Sequence, residues 1–457
     1  MEFYYLMNVS FPGVSFDAWE PGSKKTDLSH VARLYTRKTE IELQVYFDAS
    51  TRFDRKFAEW LGKINWAQFG SLIQISNESQ NQGLQRIDLS AASLVGASFG
   101  RDDSNDVHTF SIKLNSVKLY RDPNTEKPNT AEFYLDDSGF KLVSGFYSIL
   151  WELDEGFKIQ RMTDSEDFYK LAKSEFRPEF DFSTQDDKSA STATITKHPK
   201  IQFRFSDTVT EQQAWLYGDI VRLLGSFFFR TNLTYSRSIV YLPESTVVVK
   251  TINNATVNTH DGGLSQFGLG GSFSKFLKTN WQAETQSNYE KLSTAIRLFN
   301  QSIITDGSTT FLIRFNIIEV CMKGMTQDDK ERFNQILSSS NVSDKYDQAL
   351  NILLETVSAE DHEMFKKKWI GVKDKMQFKP MKSPMEEFLR DQKFQLNEFP
   401  IPFNKLKSIR DSLTHGSINS VSSEELRKAN ILLYGVAGIL ILNLIGPYDC
   451  KLFTDIK

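Results

Sequence analysis

The sequence predicts an α+β multidomain protein, a β-rich N-terminal region followed by an all-α bundle. Three observations predict it. Short runs in the first two hundred residues alternate polar and apolar side chains, the period of a half-buried strand. From about residue 277 the apolar period becomes helical and stays so. A chain of 457 residues also exceeds what one core usually organises. The change of period is therefore read as a change of domain: 1–200 β-rich, 201–276 an intermediate α/β segment with a Gly-rich connector, 277–457 helical.

In order along the chain, TEIELQVYF (39–47) and DVHTFSIKLNSVKLY (106–120) alternate cleanly. AEFYLDD (131–137), FKLVSGFYSILWEL (140–153) and IQFRF (201–205) add short strand-like runs between turn signals such as RDPNTEKPNT (121–130). RFDRKFAEWLGKI (52–64) has the pattern of a lone helix. STQDDKSASTATITKHPK (183–200) is polar and reads as a linker or a long hairpin. A helix is predicted over 206–229, capped by Asp207 or Thr208, with Trp215, Ile220, Leu223 and Leu224 on its buried side. Two β-branched runs follow, SRSIVYL (236–242) and STVVVKTI (245–252), and then the Gly-rich HDGGLSQFGLGGSFSKF (260–276). Seven helices are predicted beyond it, over 288–302, 309–324, 329–340, 344–357, 360–376, 404–415 and 423–445, joined by short polar connections as in a bundle.

The last of these is apolar enough over 429–446 to raise the membrane question. Asn430, Tyr434 and Asn443 interrupt it, and Ser422-x-x-Glu425 is a capping box, so a central bundle helix is the better reading and no membrane partner is expected. The N-terminus carries no basic segment followed by a sustained apolar run, which predicts no secretory signal. Cys321 and Cys450 lie far apart, with neither a disulfide framework nor a zinc spacing. A cytoplasmic protein is expected. A net charge of −4 excludes a generally basic nucleic-acid coat but not a local basic patch.

Several motifs invite chemistry. GASFG (96–100) matches G-x-S-x-G, with Asp102 and His108 downstream, but a nucleophile elbow needs a strand, a turn and then a helix, and strand pattern resumes here. GLGGSF (268–273) lacks the Lys-Ser/Thr of a phosphate loop. His362 lies between acids without H-E-x-x-H spacing, and the other histidines are scattered, so neither metal nor cofactor is expected.

IRDSLTHGSINS (409–420) is different. Gly416 stands where a helix stops, and a histidine in a last turn suits the helix dipole; that bland reading explains His415 alone. Asp411 and His415 are i, i+4 neighbours, so the carboxylate can orient the imidazole. Arg410 is five residues from His415, roughly 140° around a regular helix. The two converge where the helix unwinds at Gly416, or where two copies of the helix end meet. An imidazole moves protons near neutral pH and a guanidinium grips phosphate oxygens, which suits a reaction whose nucleophile is the RNA's own 2′-hydroxyl.

Arg410-x4-His415 near the end of an all-α bundle, with Asp411 directly after the arginine, resembles the R-x4–6-H motif of HEPN-domain ribonucleases. The wider arrangement is similar to the ApeA-like subgroup, in which a β-rich region precedes the HEPN bundle. TTFLIRFNIIEVCMKG (309–324) looks like that subgroup's earlier helix, whose acid corresponds to Glu319. The resemblance covers about 180 residues and the N-terminal half only loosely. It implies a metal-independent endoribonuclease working as a homodimer through the helical domain, often in anti-phage or toxin-like systems. Arg410 and His415 carry over as catalytic residues, with Asp411 and Glu319 beside them.

FKKKWIGVKDKMQFKPMK (365–382) offers an RNA-binding patch of Lys366, Lys367, Lys368, Lys373, Lys375, Lys379 and Lys382 with Trp369 and Phe378 interleaved. The same run also reads as a solvated helix face. The expected function is a ribonuclease acting on RNA, with tRNA loops a target by family resemblance, gated by a trigger on the N-terminal region. Two alternatives stay open: a non-catalytic nucleotide- or RNA-binding module, and a dimerising interaction protein.

Overall fold

The computed structural model describes residues 3–10, 15–17, 24–26, 30–36, 40–48, 74–76, 83–89, 94–102, 107–152, 156–161, 168–187, 192–252, 277, 285–322, 335, 340–376, 382–416 and 421–446. The fold is mixed, β-rich in its N-terminal half and helical in its C-terminal part. It divides into two compact units, Met1–Asp261 with Ser272–Lys278, and Gly262–Gly271 with Thr279–Lys457.

The described strands are β1 (Phe3–Ser10), β2 (Ser15–Asp17), β3 (Lys24–Thr26), β4 (His30–Thr36), β5 (Ile41–Asp48), β6 (Gln74–Ser76), β7 (Leu84–Asp88), β8 (Leu94–Asp102), β9 (Val107–Leu114), β10 (Ser116–Arg121), β11 (Thr130–Leu135), β12 (Tyr147–Glu152), β13 (Gly156–Arg161), β14 (Tyr169–Leu171), β15 (Ser174–Asp187), β16 (Thr192–Phe205), β17 (Tyr235–Tyr241) and β18 (Thr246–Thr251). A six-stranded antiparallel sheet has the order β6-β1-β4-β5-β9-β8. Its buried residues stand directly opposite one another in rows, Ala32–Val45–Phe110 and Leu34–Leu43–Ile112, which is the alternation read in 39–47 turned into one apolar face.

An eight-stranded sheet has the order β14-β15-β16-β11-β17-β18-β10-β7. Helix α1 (Phe140–Ser144) and helix α2 (Glu211–Phe229) belong to the same unit. One face of the sheet meets α2, where the ring of Phe133 packs edge-on against Trp215 at 5.4 Å. The approach is close because Gly218 has no side chain: a Cβ there would stand 2.6 Å from Phe133. Tyr235 donates its hydroxyl to the Gly218 carbonyl, 2.5 Å away, and so satisfies the one polar group that this face buries on the tyrosine.

The helical unit contains α3 (Gln286–Gln301), α4 (Gly307–Met322), α5 (Ser340–Leu354), α6 (His362–Met376), α7 (Lys382–Asp391), α8 (Phe403–Thr414) and α9 (Ser423–Ile445). Helix α9 packs along α3 and α4, α7 and α8 lean on α4, and α5 packs on α6. Although α9 is long and apolar enough to cross a membrane by length and composition, its polar interruptions take part in helix packing. Asn430 Nδ2 donates to the Gly307 carbonyl at 2.8 Å, Asn443 Nδ2 to Gln392 Oε1 at 3.0 Å, and Tyr434 stacks on Phe299 at 5.0 Å. The Ser422–Glu425 capping box is formed as expected.

Several expectations need correction. The boundary expected at residue 200 falls inside β16, which pairs with β15 from Thr192 to Phe205; 183–200 is therefore hairpin rather than linker, and 201–252 continue the eight-stranded sheet instead of forming an intermediate segment. The run 106–120 is two strands in different sheets, broken at Asn115. The run 140–153 begins as α1 before becoming β12. Helix α2 is capped by Thr210, whose hydroxyl accepts from Gln213 N, rather than by Asp207 or Thr208. Helix α7 was not expected at all. The helix expected over 52–64, most of that over 329–340, and the connector 260–276 lie outside the described residues.

Candidate active site at the end of a bundle helix

Helix α8 buries Phe403, Leu406, Ile409 and Leu413, a stripe at helical spacing that fixes which residues face outward. Arg410 follows Ile409 and is half-buried at the edge of that stripe. Its Nη2 lies 3.3 Å from Glu319 Oε1 and its Nη1 3.2 Å from Asp411 Oδ1. Glu319 comes from α4, where Phe315, Ile318, Cys321 and Met322 are buried and hold the helix in place. The structure thus brings Arg410, Asp411 and Glu319 together. The Arg410 side chain remains 29% exposed, so solvent and ligands reach it. Two of its five N–H donors meet these carboxylates, which leaves others for a phosphate oxygen.

His415 is the C-cap of α8. Its backbone N–H donates to the Asp411 carbonyl at 3.0 Å, and its φ of −94° and ψ of 10° leave the helical range. Gly416 follows at φ +79°, the left-handed conformation that glycine adopts without penalty, and ends the helix. The expected bond between the Asp411 carboxylate and the His415 imidazole is not formed. The carboxylate is turned to the adjacent guanidinium, while the His415 backbone keeps its helical bond to the Asp411 carbonyl. The imidazole is exposed and makes no hydrogen bond with the described residues.

Lys366, Lys367 and Lys368 are exposed on α6, with Lys367 Nζ 3.2 Å from Glu363 Oε1 in a solvated pair. Lys373 and Lys375 lie further along the same helix. Lys382 begins α7, while Lys379 and Phe378 lie outside the described residues. Trp369 does not stand free as a stacking platform: its half-buried ring packs on Tyr346 at 4.9 Å and on Phe365 at 6.5 Å, joining α6 to α5.

Among the described residues the remaining motifs form no site. GASFG lies within β8, which pairs with β9, so Ser98 sits on a strand and not at a strand-to-helix elbow. His362 Nε2 and the Val357 carbonyl are 2.9 Å apart, a local structural contact. Burial pushes the Cys321 thiol up to about 12, which keeps it protonated and unreactive. Among the described residues no group of three or more His, Cys, Asp or Glu side chains is placed to hold a metal ion.

Compared with known proteins, the chain matches no family model, no curated protein and no solved structure. The HEPN resemblance therefore rests on the motif residues alone. Sequence reading missed the row Glu179, Lys200, Tyr134, Arg237 and Lys250 across the eight-stranded sheet, because its members come from five strands and only the register aligns them.

Proposed function

We propose that the helical unit is a metal-independent, HEPN-type endoribonuclease whose active site is Arg410, held by Glu319 and Asp411, together with His415. The observation that carries this reading is a guanidinium fixed from two sides by carboxylates, yet open to solvent, five residues before an exposed imidazole at a helix end. Neutral His415 takes the proton of a ribose 2′-hydroxyl, and the oxygen attacks the adjacent phosphorus. Arg410 stabilises the charge that builds on the phosphoryl oxygens. The phosphorus–O5′ bond breaks, and a protonated imidazole of a second copy returns a proton to the leaving oxygen. Products are a 2′,3′-cyclic phosphate and a 5′-hydroxyl. The homodimer through the helical unit supplies that second imidazole, since one helix sets Arg410 and His415 roughly 140° apart. The α6 lysines guide the RNA, a tRNA loop in the family's manner, and a trigger on the N-terminal unit gates an anti-phage or toxin-like effector in the cytoplasm.

A second reading is favoured by the same geometry: among the described residues no carboxylate orients His415, so Arg410 and His415 grip phosphate without turnover. One assay separates them. Purified protein is incubated with total RNA in excess EDTA, beside Arg410→Ala, His415→Ala and Glu319→Gln variants, and the RNA ends are analysed. The nuclease yields 2′,3′-cyclic phosphates, the Arg410 and His415 variants lose about 10²–10⁴ in rate, and Glu319→Gln loses less. Binding without cleavage selects the gripping module. Absence of both leaves a dimerising interaction protein.

A further inference from the structure

Helices α5 and α6 form a hairpin through residues 355–361, and Tyr346 packing on Trp369 sets their antiparallel register. Unlike α4 and α9, this pair encloses little: among the described residues of the two helices only Leu354 is buried. Ile352 and Leu353 are 63% and 37% exposed, and Met364 is 53% exposed. The register puts Ile352 and Leu353 level with the first turn of α6, where Met364 lies, so the three make one apolar patch at the closed end of the hairpin. Exposed apolar side chains grouped in this way mark an interaction surface.

The charges around the patch indicate what covers it. The turn Ala359–Asp361 runs into α6 with helical backbone at His362, φ −55° and ψ −43°. Residues three and four apart share a helix face, so Met364 has Glu360 and Asp361 before it on its stripe and Lys367 and Lys368 after it. All four are exposed. The stripe is therefore its own complement about Met364. An antiparallel copy of α6 with Met364 on the axis sets Glu360 of one copy opposite Lys368 of the other, and Asp361 opposite Lys367. Both pairs recur across the axis, the self-complementarity that a two-fold interface requires. A uniformly acidic partner would meet Glu360 and Asp361, and a uniformly basic one Lys367 and Lys368. Lys367 Nζ lies 3.2 Å from Glu363 Oε1, but both side chains are largely exposed, so exchanging that pair costs little. Asp361 accepts from Ser358 Oγ with Oδ2, which leaves Oδ1 for a lysine. Further along the stripe, Gly371 has no atom within 4 Å of where a Cβ would stand, so a partner helix can approach there.

We propose that the closed end of the α5–α6 hairpin is the surface on which a second copy of this chain docks, α6 on α6, antiparallel about a two-fold axis at Met364. Ile352 and Leu353 of each copy enlarge the apolar centre, and the acid–lysine pairs form its rim. Lys366 lies off the stripe and stays open to RNA. The inference names the contact of the homodimer invoked above and rests on the ribonuclease reading for the purpose of that dimer, not for its existence.

The test is sedimentation equilibrium on the full chain and on three exposed-residue variants. One is Met364→Asp, the second Glu360→Lys with Asp361→Lys, the third Lys367→Glu with Lys368→Glu. The wild type is expected to dimerise, and each variant alone to associate about tenfold or more weakly, since like charges or a buried carboxylate then meet across the axis. Mixing the second and third variants should restore the dimer, because reversed acids meet reversed lysines; misfolding cannot produce that rescue. A wild type that is monomeric at every loading overturns the proposal. So do charge-reversed variants that remain dimeric alone, or a mixture that does not recover. RNA ends are scored on the same samples. A dimer that makes no 2′,3′-cyclic phosphates sinks the nuclease and keeps the interface, whereas cleavage by variants that stay dimeric sinks the interface and keeps the nuclease.

Discussion

An ammonium that ordinarily titrates near 10.5 is held at about 8 on Lys250, first by burial and then by the Arg237 charge facing it. Between those two values the unfolded chain binds a proton that the folded chain has released, so stability rises with pH across that window. The cost is fully present below 8 and gone above 10.5. Lys250→Gln is therefore expected to unfold at a higher urea concentration than the wild type at pH 7. Its advantage should shrink as pH rises from 8 and vanish by 10.5; a difference independent of pH counts against a charged Lys250. None of this was legible in STVVVKTI, where Lys250 reads only as the polar member of a β-branched run. The Arg410 motif was legible because its residues are neighbours in sequence. Its third member, Glu319, depended on a resemblance, and the structure places that carboxylate 3.3 Å from the guanidinium. The missing bond between the Asp411 carboxylate and the exposed His415 imidazole was not foreseen, because i, i+4 spacing says nothing of the Arg410 guanidinium that competes for the carboxylate.

Helix ends were legible where the capping signal is local. Ser422 accepts from Glu425 N at 3.2 Å, and Glu425 both returns to the Ser422 backbone and meets Lys405 of α8 at 3.1 Å. Ser422→Ala is thus expected to cost about 0.5–2 kcal/mol of unfolding free energy, measured by urea denaturation, with RNA binding retained. A loss within error would mean that the buried length of α9 makes its cap redundant. The cap of α2 was misplaced because Asp207, Thr208 and Thr210 are all good capping residues, and Thr208 and Thr210 both have a capping-box partner three positions on, Glu211 and Gln213, of which the structure uses the second. Helix α7 escaped notice because KSPMEEFLRD holds a proline and few apolar residues. Pro384 falls in the first turn, where its missing N–H costs nothing. Conversely, 106–120 reads as one strand although its apolar positions slip by one residue at Asn115–Ser116, from Phe110, Ile112 and Leu114 to Val117 and Leu119, and that slip marks the passage between sheets.

Seen as a whole molecule, the shift of apolar period near residue 277 was the strongest signal, and the division into a sheet-rich and a helical unit follows it closely. The boundary expected at 200 came from polar composition, which a hairpin arm with water on both sides shares with a linker. The helical unit buries its own core, with Phe299, Phe315, Ile318, Val436 and Leu440 each nearly or wholly enclosed. Residues 279–457 expressed alone are accordingly expected to lose their 222 nm ellipticity in a cooperative thermal transition. A gradual loss would show that the helices lean on the rest of the chain for their order. The sheet-rich unit has a different constraint. Asn115 alone separates β9 of the smaller sheet from β10 of the larger, and its carbonyl is tied to Ile252 N at 2.7 Å. A tether one residue long has no slack, roughly 3.8 Å between successive Cα atoms. Tilting either sheet must drag its companion, so a strain on β18 passes through β10 and Asn115 to β9 and its neighbours β5 and β8.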